Sequence, residues 1–208
     1  MNNNKDSQFY YRRMPHYQPE NGVLFITFRL NNSLPADFIA KLNEYKLEIS
    51  SKTKQGSYYQ NVIRKRVFDF YDTLLTEYRK DTDYLTNPGV AEIIMNTLQK
   101  FDKDLYDLFC FTIMPNHVHI LLRLKEREEG EYHQLSFIVK KIKSITTHDI
   151  NLLLKKTGST WQREYYDYCA RSGKEAMNIA NYILMNPVKA KLVNEPEEWK
   201  YSWISDEF

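Results

Sequence analysis

Phe111-Thr-Ile-Met-Pro-Asn-His-Val-His-Ile-Leu-Leu-Arg-Leu124 is the stretch on which the reading of this chain turns. Pro115-Asn116 interrupts it, and a second apolar run begins at His117. On a β-strand, side chains at i and i+2 leave the same face. Val118, Ile120, Leu122 and Leu124 then form an unbroken apolar face for a core, and His117, His119, Leu121 and Arg123 take the other. Two imidazoles on one face, a few ångströms apart, are placed to share a cation. Neutral imidazole suits Mn²⁺, Zn²⁺, Fe²⁺, Co²⁺ or Ni²⁺, and two nitrogens leave positions open for substrate oxygens and a further protein ligand. The alternative is a pair of buried histidines bonded to nearby carbonyls.

Outward from this strand, the pattern alternates between strand and helix periods. Residues 1–20 are polar with Pro15 and Pro19 and read as an extended arm. Gly22 opens a strand, Val23 to Leu30, whose apolar face is Leu24, Ile26, Phe28 and Leu30. Ser33 and Pro35 start a helix to about Ile49. A polar loop, Ser50 to Ser57, leads to a helix over about Gln60 to Arg79, with Val62, Ile63, Val67, Phe70, Tyr71, Leu74 and Leu75 in its stripe. After a loop from Asp81, Asn87-Pro88 gives an N-cap with Pro at N1, and a helix runs to about Phe101. A strand from Leu105 to Met114 precedes the histidine strand. Beyond the charged loop Lys125 to Tyr132, a helix covers about Leu135 to Leu154 and ends near Gly158. Trp161-Gln162-Arg163 leads a short extended stretch. The last helix begins near Lys174 and stops at Asn186-Pro187, because the residue before a proline disfavours helix. The tail carries Trp199 and Trp203 and is expected to wrap back on the body.

The 208 residues suffice for one domain with a good core, and 42% of them are apolar, which excludes a disordered chain. No apolar run approaches the roughly 18 residues that span a bilayer. The first residues, Met1-Asn-Asn-Asn-Lys-Asp-Ser, contain no apolar signal segment, so a cytoplasmic protein is expected. Cys110 and Cys169 form no CxxC pair, which argues against a zinc knuckle or a disulfide framework. A net charge of +2 does not by itself announce a nucleic-acid binder. The cations are clustered, however, at Arg64-Lys65-Arg66, at Lys140-Lys141 with Lys143, at Lys155-Lys156, and at Lys189 with Lys191. Sixteen tyrosines supply rings that can stack on unpaired bases. The plainer reading is solvated helix faces and tyrosines at the core edge.

The last helix holds a second constellation. Tyr182 and Asn186 are i and i+4 and share a face. A tyrosine hydroxyl can serve as a covalent nucleophile, and an Asn carbonyl oxygen one turn away can be a third ligand to a cation that assists it. On these residues alone, Tyr182 is equally an ordinary amphipathic ring.

Met114-Pro-Asn-His-Val-His-Ile-Leu-Leu122 resembles the signature of HUH-type single-strand DNA transposases. It is most similar to the REP-associated tyrosine transposases, single-tyrosine relatives of the IS200-like insertion-sequence transposases. The resemblance extends over Leu24-Phe-Ile-Thr-Phe-Arg-Leu30, Tyr84-Leu-Thr-Asn-Pro-Gly-Val-Ala-Glu92, Lys143-Ser-Ile-Thr146, Trp161-Gln-Arg-Glu-Tyr-Tyr-Asp167 and Tyr182-Ile-Leu-Met-Asn-Pro-Val-Lys-Ala190. It implies His117 and His119 as metal ligands and catalytic residues, Tyr182 as the catalytic tyrosine, and Asn186 as the third polar ligand. It implies a divalent metal, Mg²⁺ or Mn²⁺, and single-stranded DNA near imperfect hairpins as substrate, cut and rejoined through a 5′-phosphotyrosine. Arg64, Lys65, Arg66, Lys140, Lys141 and Lys143 are then candidate contacts to the DNA backbone. Two positions depart from the pattern: Ala170-Arg171-Ser172, where relatives carry an acidic third residue, and Lys191, where Gly is common.

Histidine-triad nucleotide hydrolases also alternate His on a strand, but their third His would fall at 121, where Leu121 stands. A domesticated relative that binds hairpins without moving DNA is the remaining alternative. The expected fold is α+β, a ferredoxin-like antiparallel sheet with helices packed on one face and the histidine strand central. All 208 residues are expected to form one such domain, with a helical insertion at about 35–85. Monomer and homodimer are both compatible with the resemblance.

Overall fold

A computed structural model describes residues 9–11, 15–17, 19, 21–35, 37–38, 40–41, 44–45, 47, 57–77, 83–127 and 131–208. The expected loops at 50–57, from Asp81, and at 125–132 fall wholly or partly outside these residues, as do parts of the N-terminal arm and of the helix from Pro35. The chain divides into two compact units, residues 1–31 with 83–208, and residues 32–82.

The larger unit is built on a sheet of five strands. In chain order these are β3 (Val23–Arg29), β4 (Tyr106–Ile113), β5 (His117–Leu124), β6 (Tyr166–Cys169) and β7 (Ser202–Ile204), and their spatial order is β6-β3-β5-β4-β7. Every neighbouring pair is antiparallel. Helix α2 (Pro88–Lys100) joins β3 to β4, and α3 (Leu135–Leu154) joins β5 to β6. Leaving β7 aside, this is the βαββαβ path of a ferredoxin-like fold. Two short strands, β1 (Phe9–Tyr11) and β2 (Pro15–Tyr17), pair with each other, so the N-terminal arm contains a hairpin that its prolines had masked.

Burial follows the alternation of the strands. Val118, Ile120 and Leu122 of β5 lie opposite Phe28, Ile26 and Leu24 of β3, and opposite Ile113, Phe111 and Leu108 of β4. These residues form one buried core with Val90, Ala91, Ile94 and Leu98 of α2 and Ile138, Val139, Ile142 and Ile150 of α3. Both helices therefore cover the apolar face the sequence assigns to a core. Asn87 caps α2 by accepting the Gly89 N–H at 3.1 Å, and Pro88 stands in its first turn. The tail returns as expected and contributes β7, whose Trp203 stacks on Phe111 at 5.9 Å between ring centroids.

The opposite face of the sheet carries His117 and His119. Helix α4 (Gly173–Leu184) runs over it, burying Ala176, Ala180 and Ile183. Helix α4 stops short of Pro187, and a single turn, α5 (Asn186–Lys189), starts afresh with the proline inside its own first turn.

The smaller unit contains α1 (Ser57–Glu77) and helical residues between 37 and 47. Leu34, Leu74 and Leu75 are its buried core, with Phe38, Phe70 and Tyr71 packed against them. Of the stripe read from the sequence, Phe70, Tyr71, Leu74 and Leu75 pack in this core and Val67 is buried, while the side chains of Val62 and Ile63 lie outside the described residues.

Candidate active site

The turn Pro115-Asn116 delivers β5 back beside β4, with the Met114 N–H donating to the His117 carbonyl at 2.8 Å. The register then fixes what surrounds the histidines. On the same face, His117 lies opposite Arg29, and His119 lies between Thr27 of β3 and Thr112 of β4. Both imidazoles are buried, as are Thr27, Asn116 and Thr112.

Each ring has a fixed partner at Nδ1. Asn116 Oδ1 is 2.6 Å from Nδ1 of His117 and can only accept, so Nδ1 carries a proton and, in the neutral ring, Nε2 presents a lone pair. Thr27 Oγ1 is 2.7 Å from Nδ1 of His119 and plays the same role when the hydroxyl accepts. The two Nε2 atoms face each other at 3.0 Å. Two lone pairs this close repel unless a proton or a cation lies between them. Nitrogens bound at about 2.1 Å and at right angles around one metal lie about 3.0 Å apart. The donor set thus fits a divalent first-row cation, with the partner at each Nδ1 orienting its ring as metal-bound imidazoles require.

Helix α4 places Tyr182 on this face. Its ring centroid is 6.0 Å from that of His119 and 6.1 Å from that of Phe25, edge-on to both. The Lys189 ammonium sits 4.1 Å from the centre of the Tyr182 ring. Asn186 is buried at the start of α5, and its Nδ2 donates to the Tyr182 carbonyl at 3.0 Å, so Oδ1 is the atom it could offer to a cation. Tyr182 and the histidine pair are thus brought together, and Asn186 is tied to Tyr182.

Two other tyrosines share this face. Tyr166 and Tyr168 of β6 lie opposite Thr27 and Phe25. Both are buried, whereas Tyr182 is half-buried. The Tyr168 hydroxyl donates to Glu175 at 2.8 Å, and burial, with this carboxylate beside it, pushes that phenol up to about 12. Cys110 lies opposite Leu121 on the same face, and burial pushes its thiol up to about 12, so it remains protonated.

Glu175 anchors the start of α4. It accepts from the backbone N–H of Arg171 at 2.7 Å and from its guanidinium at 3.0 and 2.9 Å, while Ser172 caps the helix by accepting the Glu175 N–H. Ser172, where an acidic residue follows from the resemblance, is thus an N-cap, and the carboxylate that Arg171 binds comes from Glu175, three residues later.

The basic clusters have different surroundings. Lys140 is exposed. Lys141 lies over the rings of Phe101 and Phe137. Lys143 donates to the carbonyls of Gln162, Glu164 and Arg163 at 2.9, 3.3 and 3.4 Å, so it ties α3 to the segment before β6. Arg66 is exposed on α1, and the side chains of Arg64 and Lys65 lie outside the described residues.

Sequence reasoning missed Thr27, Asn116, Arg29 and Glu175. The first and third carried a signal. Phe25, Thr27 and Arg29 alternate with the apolar face of β3, and polar residues at two of those places mark the face as something other than a second core.

The sequence pattern of the family described as transposase IS200 like matches residues 70–186, more than half of the chain. This chain belongs to the IS200-like transposase family. A provisionally named REP-associated tyrosine transposase of Haemophilus influenzae is 26% identical over 102 residues, covering 47% of this chain and 58% of that protein. A REP-associated tyrosine transposase of Escherichia coli is 25% identical over 97 residues, covering 47% of this chain and 53% of that protein. The chain matches a little over half the length of these curated relatives. The solved structure of a REP-associated tyrosine transposase bound to a REP hairpin shares the fold, with a TM-score of 0.55 over 93% of this chain and 81% of the other at 18% identity.

Proposed function

We infer that this chain cleaves and rejoins single-stranded DNA beside hairpins, with Tyr182 as nucleophile and His117, His119 and Asn186 as ligands of a divalent metal, Mg²⁺ or Mn²⁺. The observation that carries this is the meeting of two parts on one face, two Nε2 atoms 3.0 Å apart and a tyrosine ring 6.0 Å from the His119 imidazole; Asn186 stands one turn beyond that tyrosine with its amide bonded to the tyrosine's carbonyl. The family membership and the hairpin-bound relative of the same fold support the substrate class. We read residues 32–82 as a helical insertion into this transposase domain. Among the described residues no helix is long and apolar enough to cross a membrane.

A cation held by these ligands would draw charge from the scissile phosphate's oxygens as it builds in the transition state. Tyr182 Oη attacks phosphorus in line. The bond to the 3′-oxygen breaks, that oxygen takes up a proton, and the phenol proton is lost to water. The product is a 5′-phosphotyrosine link and a free 3′-hydroxyl. Another 3′-hydroxyl can attack the link and restore both the phosphodiester and the phenol, so strands are exchanged without ATP. Phe25 packs against Tyr182 and His119, fixing the angle between the two rings.

The test uses single-stranded oligonucleotides drawn from the DNA flanking the gene, with Mg²⁺ or Mn²⁺, read as a covalent adduct on a denaturing gel. The wild type forms the adduct, Tyr182→Phe binds the hairpin and forms none, and His119→Ala loses the metal-dependent reaction. Full cleavage by Tyr182→Phe, or undiminished cleavage in EDTA, would overturn the assignment. Hairpin binding without adduct in the wild type would identify a binding module.

A further inference from the structure

A groove of about 690 Å³ lies between α3 and the segment that precedes β6. Its wall on α3 includes Ser136, Lys140, Ser144 and Thr147, which are spaced by three or four residues and therefore form one stripe along the helix. The stripe spans about 16 Å at 1.5 Å per residue. The facing wall is Ser159, Trp161, Gln162 and Arg163, with Tyr165 beyond them. Three cationic side chains line the groove, Lys140, Lys143 and Arg163, and no carboxylate does. Lys140 and Arg163 are exposed. Lys143 holds the far wall through its bonds to three backbone carbonyls, so its charge is fixed in place.

That wall is braced from below. The Trp161 indole N–H donates to Thr146 Oγ1 at 2.8 Å, and its ring stands edge-on against Phe28 at 4.7 Å. The groove also begins where the histidine face ends. Gln162 N–H donates to the Arg29 carbonyl and Asn31 N–H to the Thr160 carbonyl, both at 2.9 Å. Arg29 is the residue opposite His117. Asn31, two residues on, lines the groove, about 7 Å along an extended chain.

The geometry points to a second DNA-binding element: the α3 groove holds the sugar-phosphate backbone of DNA that continues from the cleavage site around the end of β3. Lys140 and Arg163 contact phosphates, and Ser144 and Thr147 donate hydroxyl hydrogen bonds to phosphate oxygens. The ligand chemistry is a polyanionic backbone of a few phosphates, supplied either by the single-stranded flank or by the hairpin stem. This rests on the reading that the chain handles hairpin-bearing DNA.

The experiment measures fluorescence anisotropy of three DNAs, an unstructured single strand, a blunt hairpin, and a hairpin with a single-stranded flank, across a salt series. The double variant Lys140→Ala with Arg163→Ala is compared with the wild type, with Ser144→Glu, which places a carboxylate in the groove, and with Lys200→Ala as a cation elsewhere. All variants are first matched by melting temperature. Each phosphate contact is worth about fivefold in affinity at 0.1 M salt and about 0.7 in the salt slope on a single strand. The double variant is therefore expected to lose about 25-fold and about 1.4 units of slope. Ser144→Glu is expected to weaken binding as well, and Lys200→Ala to leave it unchanged. A loss confined to the DNAs with a single-stranded part identifies the flank as occupant, and a loss shared by the blunt hairpin identifies the stem. Wild-type binding that both groove variants leave unchanged, or that Lys200→Ala weakens equally, would overturn the groove while leaving the adduct assay and the Tyr182 assignment standing. Failure of the wild type to bind any of the three would overturn both.

Discussion

Thr27→Val isolates the partner of His119 while preserving shape. Val has the branching and nearly the volume of Thr, and β3 favours both. Thr27 and His119 are each fully buried, so water does not replace the lost hydroxyl, and Nδ1 of His119 loses its partner at 2.7 Å. An unsatisfied buried donor costs about 1–3 kcal/mol. The imidazole can recover part of this by turning or changing tautomer, and a proton moved to Nε2 would remove the lone pair that faces His117. Loss of such an orienting partner typically lowers metal affinity by about 10–100-fold. Isothermal titration of the metal-free protein with Mn²⁺ reads the affinity, and urea unfolding reads the stability. Thr27→Val is expected to bind about 10–100-fold more weakly and to unfold about 1–3 kcal/mol more easily, with Thr27→Ser restoring most of both. Unchanged Mn²⁺ affinity in a folded Thr27→Val protein would refute the idea that this hydroxyl orients a metal-binding imidazole.

Three further outcomes are expected. The Arg171 guanidinium, with burial opposing it, holds the Glu175 carboxyl down to about 2, below its unfolded value. The resulting stability is fully present above about pH 4.5 and is lost as pH falls towards 2. Because the Arg171 side chain is 56% exposed, the contribution is about 1 kcal/mol after solvent screening. Glu175→Gln should therefore unfold earlier in urea at pH 7 and match the wild type near pH 2. Trp161→Phe keeps the ring against Phe28 but removes the donor to Thr146. It should cost about 1–2 kcal/mol in urea unfolding and weaken DNA binding in the α3 groove, with little effect on Mn²⁺ affinity. Asn87→Ala removes the cap of α2 and should cost about 1 kcal/mol, read as a lowered melting temperature.

The parts of the fold that were legible in the sequence are those where periodicity and chemistry agree. The alternation in 117–124 specified the strand, its core face and its histidine face together. The Asn87-Pro88 pair placed the start of α2, and the helix read over about Leu135 to Leu154 has the bounds of α3. The sequence was silent where long-range pairing decides. Nothing local says that Ser202-Trp203-Ile204 will add a strand beside β4, because three residues carry no period. The β1–β2 hairpin was masked by Pro15, which is tolerated where two short strands pair at an edge. Within the site, the family resemblance drew attention to His117, His119, Tyr182 and Asn186. Thr27 carried a signal in the alternation of β3, but the task of holding the imidazoles falls to it and to Asn116 only once β3 is laid beside β5 in register and the turn is closed. Lys143 illustrates the converse: a lysine that looks like a phosphate contact in a basic cluster spends its donors on three backbone carbonyls.

Because the imidazoles and the core residues of β5 alternate along one central strand, the chemistry and the architecture respond to different kinds of genetic change. Inserting or deleting one residue there would send the histidines inward and the aliphatic side chains outward, so such a lesion destroys folding and function at once. Tyr182→Phe, at a half-buried place on its helix, would remove only the hydroxyl that the proposed reaction needs and keep the ring against Phe25 and His119. On the proposed mechanism, descendants carrying that change would therefore express, melt and crystallise like the parent, and a census based on fold or solubility would not tell the two apart.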